Sequence, residues 1–208
     1  MPTSTIELAA RLAARLCHDF AGPAGGIKSG LEFLADPASP ISRQEAMALI
    51  EESARSLGGQ LAFARVAFGI GEETFAAGDL EALARPLFEA IRPTLAWSVE
   101  EPALPGAAAR VLLNLVQLAG AALATGGEVR VSAGRSGGGW RLSVDAVGPR
   151  ARLYPEVQGG LEGRPRGEGL AGRWVQGAFV QAMTASAGGS VSVGADVDAV
   201  RFAAILPV

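Results

Sequence analysis

The stretch LCHDFAGPAGG, residues 16–26, contains the only histidine in a chain of 208 residues. Around it the apolar residues Leu8, Leu12, Leu16, Phe20, Ile27, Leu31 and Leu34 fall on one side of a helix at about 100° per residue. His18 projects roughly opposite that stripe, so the pattern predicts an exposed imidazole and not a core one. Its face also carries Arg11, Ala14, Gly22 and Gly25, together with Glu7, Ser29 and Glu32. Glycine costs about 1 kcal/mol inside a helix, so two glycines flanking an exposed histidine call for a reason. Clearance supplies one: small residues let another protein surface come within reach of the imidazole. Arg11 and Arg15 lie within two turns, where they could meet an acidic partner or steady a phosphoryl group. Asp19 follows directly and is placed to orient the ring. Pro23 is expected to bend the helix just past the site.

Working outward, a second helix opens at Ser42-Arg43-Gln44-Glu45, the spacing of a capping box. Its apolar positions Met47, Ile50, Ala54, Leu57, Leu61, Ala64 and Phe68 alternate in steps of three and four, a heptad seam. The linker around Asp36-Pro37-Ala38-Ser39-Pro40 is short, which predicts an antiparallel hairpin. A hairpin buries little surface by itself. A second copy would close a four-helix bundle with this same periodicity, and a homodimer is expected; packing of the hairpin on its own C-terminal half is the alternative.

After Gly69-Ile70-Gly71 the period changes. LAWSV (95–99), EVRVSA (128–133), WRLSVDAV (140–147), SVSVGA (190–195) and AVRFAAILP (199–207) read as strands, with GRSGGG (134–139) and GADVD (194–198) as hairpin turns. Helical stretches are expected near 79–92, 107–124 and 170–186, and the segment 152–166 reads as short and irregular. The class is α+β: a helical hairpin over residues 1–70, then an α/β sandwich over 71–208 with helices on one face of a sheet.

Composition narrows the function. Hydrophobic residues make up 49% of the chain and the formal net charge is −3, without the Lys/Arg clustering a nucleic-acid surface needs. Cys17 is the only cysteine, so no internal disulfide can form, and a reducing, cytoplasmic setting is expected. The longest apolar run, residues 111–124, is too short to span a membrane. A single histidine and a single cysteine disfavour a zinc site, and no Gly-x-Ser-x-Gly elbow is present. An exposed, unencumbered imidazole instead suits phosphoryl transfer, in which histidine forms a covalent phosphoramidate and the protein supplies mainly positioning.

The residues His18-Asp19-Phe20-Ala21-Gly22-Pro23 resemble the phospho-acceptor box of sensor histidine kinases. The second half is similar to their ATP-binding domain in order and spacing. LLNLVQLAGAAL (112–123) stands where the asparagine box would be and DAVG (145–148) where an Asp-x-Gly-x-Gly loop would be. GEGLAG (167–172) resembles the glycine loop that follows, and GGSVSV with FAAILP the last strands. The departures fall on the nucleotide. Leu118 stands where a second asparagine would hold Mg²⁺, and leucine cannot ligate a hard cation. Val147 and Pro149 replace loop glycines, and Gly22 replaces a polar residue used in dephosphorylation.

This combination resembles the ChpT-type histidine phosphotransferases of alphaproteobacterial phosphorelays. The resemblance implies a homodimer with a degenerate, nucleotide-free kinase-like domain. In it His18 would take phosphate from the receiver domain of a hybrid histidine kinase and pass it to the receiver domain of a response regulator. It further implies that this chain binds no cofactor and that the partner receiver brings its own Mg²⁺. Arg11, Ala14, Arg15, Gly22 and Gly25 are the expected docking residues beside catalytic His18 and orienting Asp19. The alternatives are an ATP-dependent histidine kinase using Asp145 and Glu168, and a non-catalytic dimeric scaffold. Asn114 reads as a helix or interface polar residue and Asp145 as a strand-end residue. Cys17 reads as a small buried or lateral thiol, and Trp97, Trp140 and Trp174 as packing residues.

Overall fold

Two long helices open the chain in the computed structural model, which describes residues 5–89, 91–165 and 171–207. Helix α1 (Thr5–Ala35) continues through Pro23, and α2 (Arg43–Ala67) returns against it. The turn between them is stitched by Asp36, whose carboxylate accepts from the Ala38 amide at 2.9 Å. The capping box forms as read. The Glu45 amide donates to Ser42 Oγ at 3.2 Å, and the Ser42 amide donates to Glu45 Oε2 at 2.7 Å. These bonds to Ser42 hold the Glu45 carboxyl below the usual carboxylate range. Gly30 is buried where α1 meets Ala46 and Ile50 of α2.

The rest of the chain runs β1 (Thr74–Ala76), α3 (Ala77–Glu89), β2 (Thr94–Val99), β3 (Ala103–Pro105), α4 (Gly106–Ala122), β4 (Glu128–Ser136), β5 (Gly139–Val147), α5 (Pro155–Leu161), α6 (Ala171–Ser186), β6 (Ser190–Asp196) and β7 (Ala199–Pro207). Five strands form one sheet in the order β2-β4-β5-β7-β6, with β2 parallel to β4 and the other pairs antiparallel. Period two decides which face is covered. Val129, Val131, Leu142, Val144, Phe202 and Ala204 are buried, while Arg130, Arg141 and Arg201 between them face water. Helix α4 lies against β4, β5 and β7 and is buried nearly all round, as a helix apolar on every side must be. A small antiparallel pair, β1 with β3, forms from segments too short to show alternation in the sequence.

Three details depart from the sequence reading. The β4–β5 hairpin is tighter than GRSGGG suggested: pairing extends to Ser136 and Gly139, leaving a two-residue turn of Gly137 and Gly138 with φ of 62° and 79°. Both angles are left-handed, the requirement of a primed hairpin turn. Segment 152–166 is also not wholly irregular, because Pro155 starts helix α5 at a position where its missing N–H costs nothing. Its Gly160 and the Gly177 of α6 let the two backbones touch: a Cβ on Gly160 would lie 2.6 Å from the Ala178 amide nitrogen. These glycines serve here as a contact surface. Third, the hairpin does lean on its own C-terminal half. Leu8 and Leu12 pack on Trp174, Val175 and Ala178 of α6, and the end of α2, Phe63 and Ala67, enters the main core. Met47, Leu61 and Leu31 nevertheless remain 41%, 48% and 55% exposed. No described helix is long and apolar enough to cross a membrane.

Candidate functional site

His18 sits midway along α1 with its side chain 90% exposed. The face it occupies is as bare as the wheel predicted. Ala14, Gly22 and Gly25 are exposed, and a Cβ added to either glycine would meet nothing within 4 Å. Among the described residues no packing demand explains these glycines, in contrast to Gly26 and Gly30, which lie hard against Ser53 and Ile50 of α2.

Among the described residues the imidazole has one charged neighbour at short range: His18 Nδ1 lies 3.5 Å from Asp19 Oδ1. The other carboxylate oxygen of Asp19, Oδ2, lies 3.6 Å from Arg15 Nε. Arg15 is where the structure departs from the expected docking set. Its side chain is only 18% exposed and turns toward the C-terminal half, where Nη1 donates to the Gly172 carbonyl of α6 at 2.7 Å. Burial lowers the pKa of this guanidinium and the Asp19 carboxylate opposes the shift, so the group stays cationic. Arg11 is held within its own helix, donating to Glu7 Oε1 at 2.7 Å. Cys17 is exposed, neither buried nor shielded by a neighbour helix.

A groove of about 500 Å³ opens beside the imidazole. Helix α1 contributes His18, Asp19 and Gly22 to it, α2 Gln60 and Phe63, α3 Leu87, the turn after α3 Ile91, and α4 Gln117. The side-chain oxygen of Gln60 is buried there without a hydrogen-bond partner among the described residues. Sequence reasoning missed this groove because its walls come from four helices, and no local spacing links residues 18, 63, 91 and 117.

The helix that resembles an asparagine box is turned to internal use. Asn114 is fully buried, and its amide donates to the Ala67 carbonyl at the end of α2 at 2.8 Å and to the Arg110 carbonyl at 3.0 Å. Gln176 of α6 donates to Gln117 Oε1 at 2.6 Å. Arg110 reaches back to the Gly71 carbonyl. Of these, Asn114 fastens the end of the hairpin to the sheet domain, the interface role expected of it, while the other bonds lie within the second half. Leu118 is buried in the core, and Asp145 lies within β5. The loop after β5 is stitched down as well. The Gly148 amide donates to the Asp198 carbonyl at 2.9 Å and the Arg152 amide to the Ala122 carbonyl at 2.9 Å. Trp140 and Trp174 are buried and Trp97 packs against the core. Most of GEGLAG, with Glu168, lies outside the described residues.

Comparison with known proteins agrees with this arrangement. A family model described as the histidine phosphotransferase C-terminal domain matches residues 77–199, more than half of the chain. The protein phosphotransferase ChpT of Brucella abortus (strain 2308) is 29% identical over 204 residues, covering 97% of this chain and 96% of that protein. A solved bacterial phosphotransferase superimposes with a TM-score of 0.85 at 29% identity, covering 98% of both chains. The catalytic domain of the histidine kinase ThkA shares the fold alone, with a TM-score of 0.51 at 19% identity over 66% of this chain and 96% of its own. The chain belongs to the histidine phosphotransferase family, and its activity is phosphoryl transfer.

Proposed function

We propose that His18 is the residue that carries the phosphoryl group, accepting it from the phospho-aspartate of one receiver domain and delivering it to the aspartate of another. The observation that supports this most strongly is an imidazole 90% exposed on a helix face where Gly22 and Gly25 leave open space. In the step, Nε2 attacks the phosphorus of the acyl phosphate. The Nε2–P bond forms, the P–O bond to the donor aspartate breaks, and the donor carboxylate leaves with the bonding pair. The imidazole becomes a cation with its proton on Nδ1, facing the Asp19 carboxylate, which steadies that charge. Reversing the step onto a second receiver regenerates neutral His18.

The donor in this reading is the receiver of a hybrid histidine kinase and the acceptor that of a response regulator, each bringing its own Mg²⁺, with the reaction in the cytoplasm. Residues 1–70 carry the phosphate and dimerise, and residues 71–208 add docking surface. A homodimer is favoured by the exposed stripe Met47, Ala54 and Leu61, which recurs at heptad spacing along α2. Of the docking residues, Arg11, Ala14, Gly22 and Gly25 keep that role, whereas Arg15 faces inward.

The nucleotide-free reading is supported by the described residues around α4. Leu118 and Phe202, with Tyr154 and Val157, line a cavity of about 40 Å³, room for a few waters and not for adenine with its phosphates. Gln176, which also lines it, already has a partner, as does Asn114 on the same helix α4. No transfer step is therefore routed through ATP.

The test is transfer from a receiver charged with labelled phosphate to wild type and to His18→Ala, with ATP alone as a third lane. Acid-labile, alkali-stable label on wild type only, and none from ATP, is expected. Label on His18→Ala, or label from ATP alone, overturns the reading. Wild-type binding of receivers without label from any of them would turn it toward a scaffold.

A further inference from the structure

The geometry points to Arg15 as a positioning residue that ties the orientation of the His18 imidazole to the first turn of α6. The inference rests on His18 being the acceptor and assigns Arg15 a task different from docking.

An imidazole 90% exposed has two free torsions and two nitrogens, and in-line transfer requires one nitrogen at one angle. Asp19 Oδ1, 3.5 Å from Nδ1, selects the ring orientation that turns Nε2 outward. Contacts of this length in a partner-free site commonly shorten when the reacting partner arrives. Asp19 is itself 36% exposed, so it can direct the ring only if something directs it. An i, i+4 ion pair on a helix surface is a weak restraint, because both side chains remain mobile.

Arg15 differs from such a pair in where its other end is fixed. Nη1 donates to a backbone carbonyl 157 residues away, Gly172 O at 2.7 Å, and a carbonyl within a helix has no torsion to lose. The guanidinium is a rigid planar fork. With one tine on Gly172, Nε is held facing Asp19 Oδ2 at 3.6 Å. The linkage thus runs Gly172 carbonyl, Arg15, Asp19, His18, and crosses from the sheet domain to the reacting ring. One turn earlier, Arg11 pairs with Glu7 inside its own helix and is 31% exposed, so the same residue types there do not bridge the two halves. Movement of the start of α6 would be felt at His18 through Arg15.

The lone histidine makes the test direct, because selective ¹⁵N-histidine labelling gives one pair of ring-nitrogen resonances. In alkaline buffer, where imidazole is neutral, wild type is expected to show mainly the Nδ1–H tautomer. Arg15→Met and Asp19→Asn should both move it toward Nε2–H. In transfer assays Arg15→Met should lower kcat by about tenfold or more, since misplacement of a reacting group by about 1 Å costs up to about a hundredfold. Its KM for the charged receiver should stay within about twofold. Adding Arg15→Met to Asp19→Asn should change little further, as expected for residues acting in series. Arg15→Lys, which keeps the charge but cannot hold both partners, should restore part of the rate; it also serves if the Met variant does not fold. A raised KM at unchanged kcat with an unchanged tautomer would overturn the inference and return Arg15 to docking. Failure of the parent reading looks different, because wild type itself then takes no label.

Discussion

Gly22→Ala is the perturbation in which stability and activity should part company. A methyl group on Gly22 meets nothing within 4 Å, so the change carries no packing penalty in the free chain. Replacing a helix-interior glycine with alanine removes backbone entropy from the unfolded state and is worth about 0.5–1 kcal/mol. For a chain of this size, about 1 kcal/mol moves Tm by roughly 2–4 °C, so calorimetry should show a rise of about 1–4 °C. The same methyl stands on the His18 face, one turn from the imidazole, where the incoming receiver must seat. If it displaces the acyl phosphate by about 1 Å, transfer slows by roughly tenfold to a hundredfold. Gly30→Ala is the control with the opposite sign. Its Cβ would lie 3.0 Å from the Ala46 carbonyl and press on Ile50, and overpacking of that kind costs about 1–3 kcal/mol. A Gly22→Ala protein with raised Tm and wild-type transfer would refute clearance as the reason for the glycine. A lowered Tm would refute the open face itself.

Asn114→Ala leaves the Ala67 carbonyl without its side-chain donor at a buried junction and should destabilise the chain by about 1–3 kcal/mol, read by denaturant unfolding. The Glu45 carboxyl, depressed by its bonds to Ser42, is charged more readily in the folded than in the unfolded chain, so its contribution is present at neutral pH and lost as pH falls through its folded-state titration. Glu45→Gln should accordingly flatten part of the acid limb of the stability profile while leaving the alkaline limb alone. If the proposed homodimer forms through α2, Leu61→Glu, at an exposed heptad position 48% open to water, should lower the apparent mass by sedimentation toward that of one chain with little change in the far-ultraviolet spectrum.

What the sequence made legible follows from how local each signal was. The Ser42–Glu45 box and the alternation in β4, β5 and β7 each lie within one element and formed as read, and the α1 stripe is half-buried except at exposed Leu31. The exposure of His18 was legible for the same reason, since a helix wheel needs only neighbours. Contacts across long separations were not. Nothing near Arg15 announces a carbonyl at Gly172, and a backbone acceptor carries no residue code. Helix α5 was hidden because the segment is short and glycine-rich, and the role of Gly160 shows only when Gly177 is set against it. Leu8 and Leu12 gave the correct stripe but not its partner, because a stripe says only that something apolar covers it, and Trp174 on α6 does so.

The bare face around His18 has a kinetic consequence. With His18 as the proposed acceptor there is one such nitrogen per chain, so in that reading donor and acceptor receivers take turns on it. The phosphoryl group must rest on the protein between two separate visits, which is a double-displacement scheme with parallel lines in reciprocal plots. A receiver that can dock but cannot be phosphorylated would then act as a dead-end occupant, competing with donor and acceptor alike. In that scheme partner abundance, and not distance between two sites, sets the traffic.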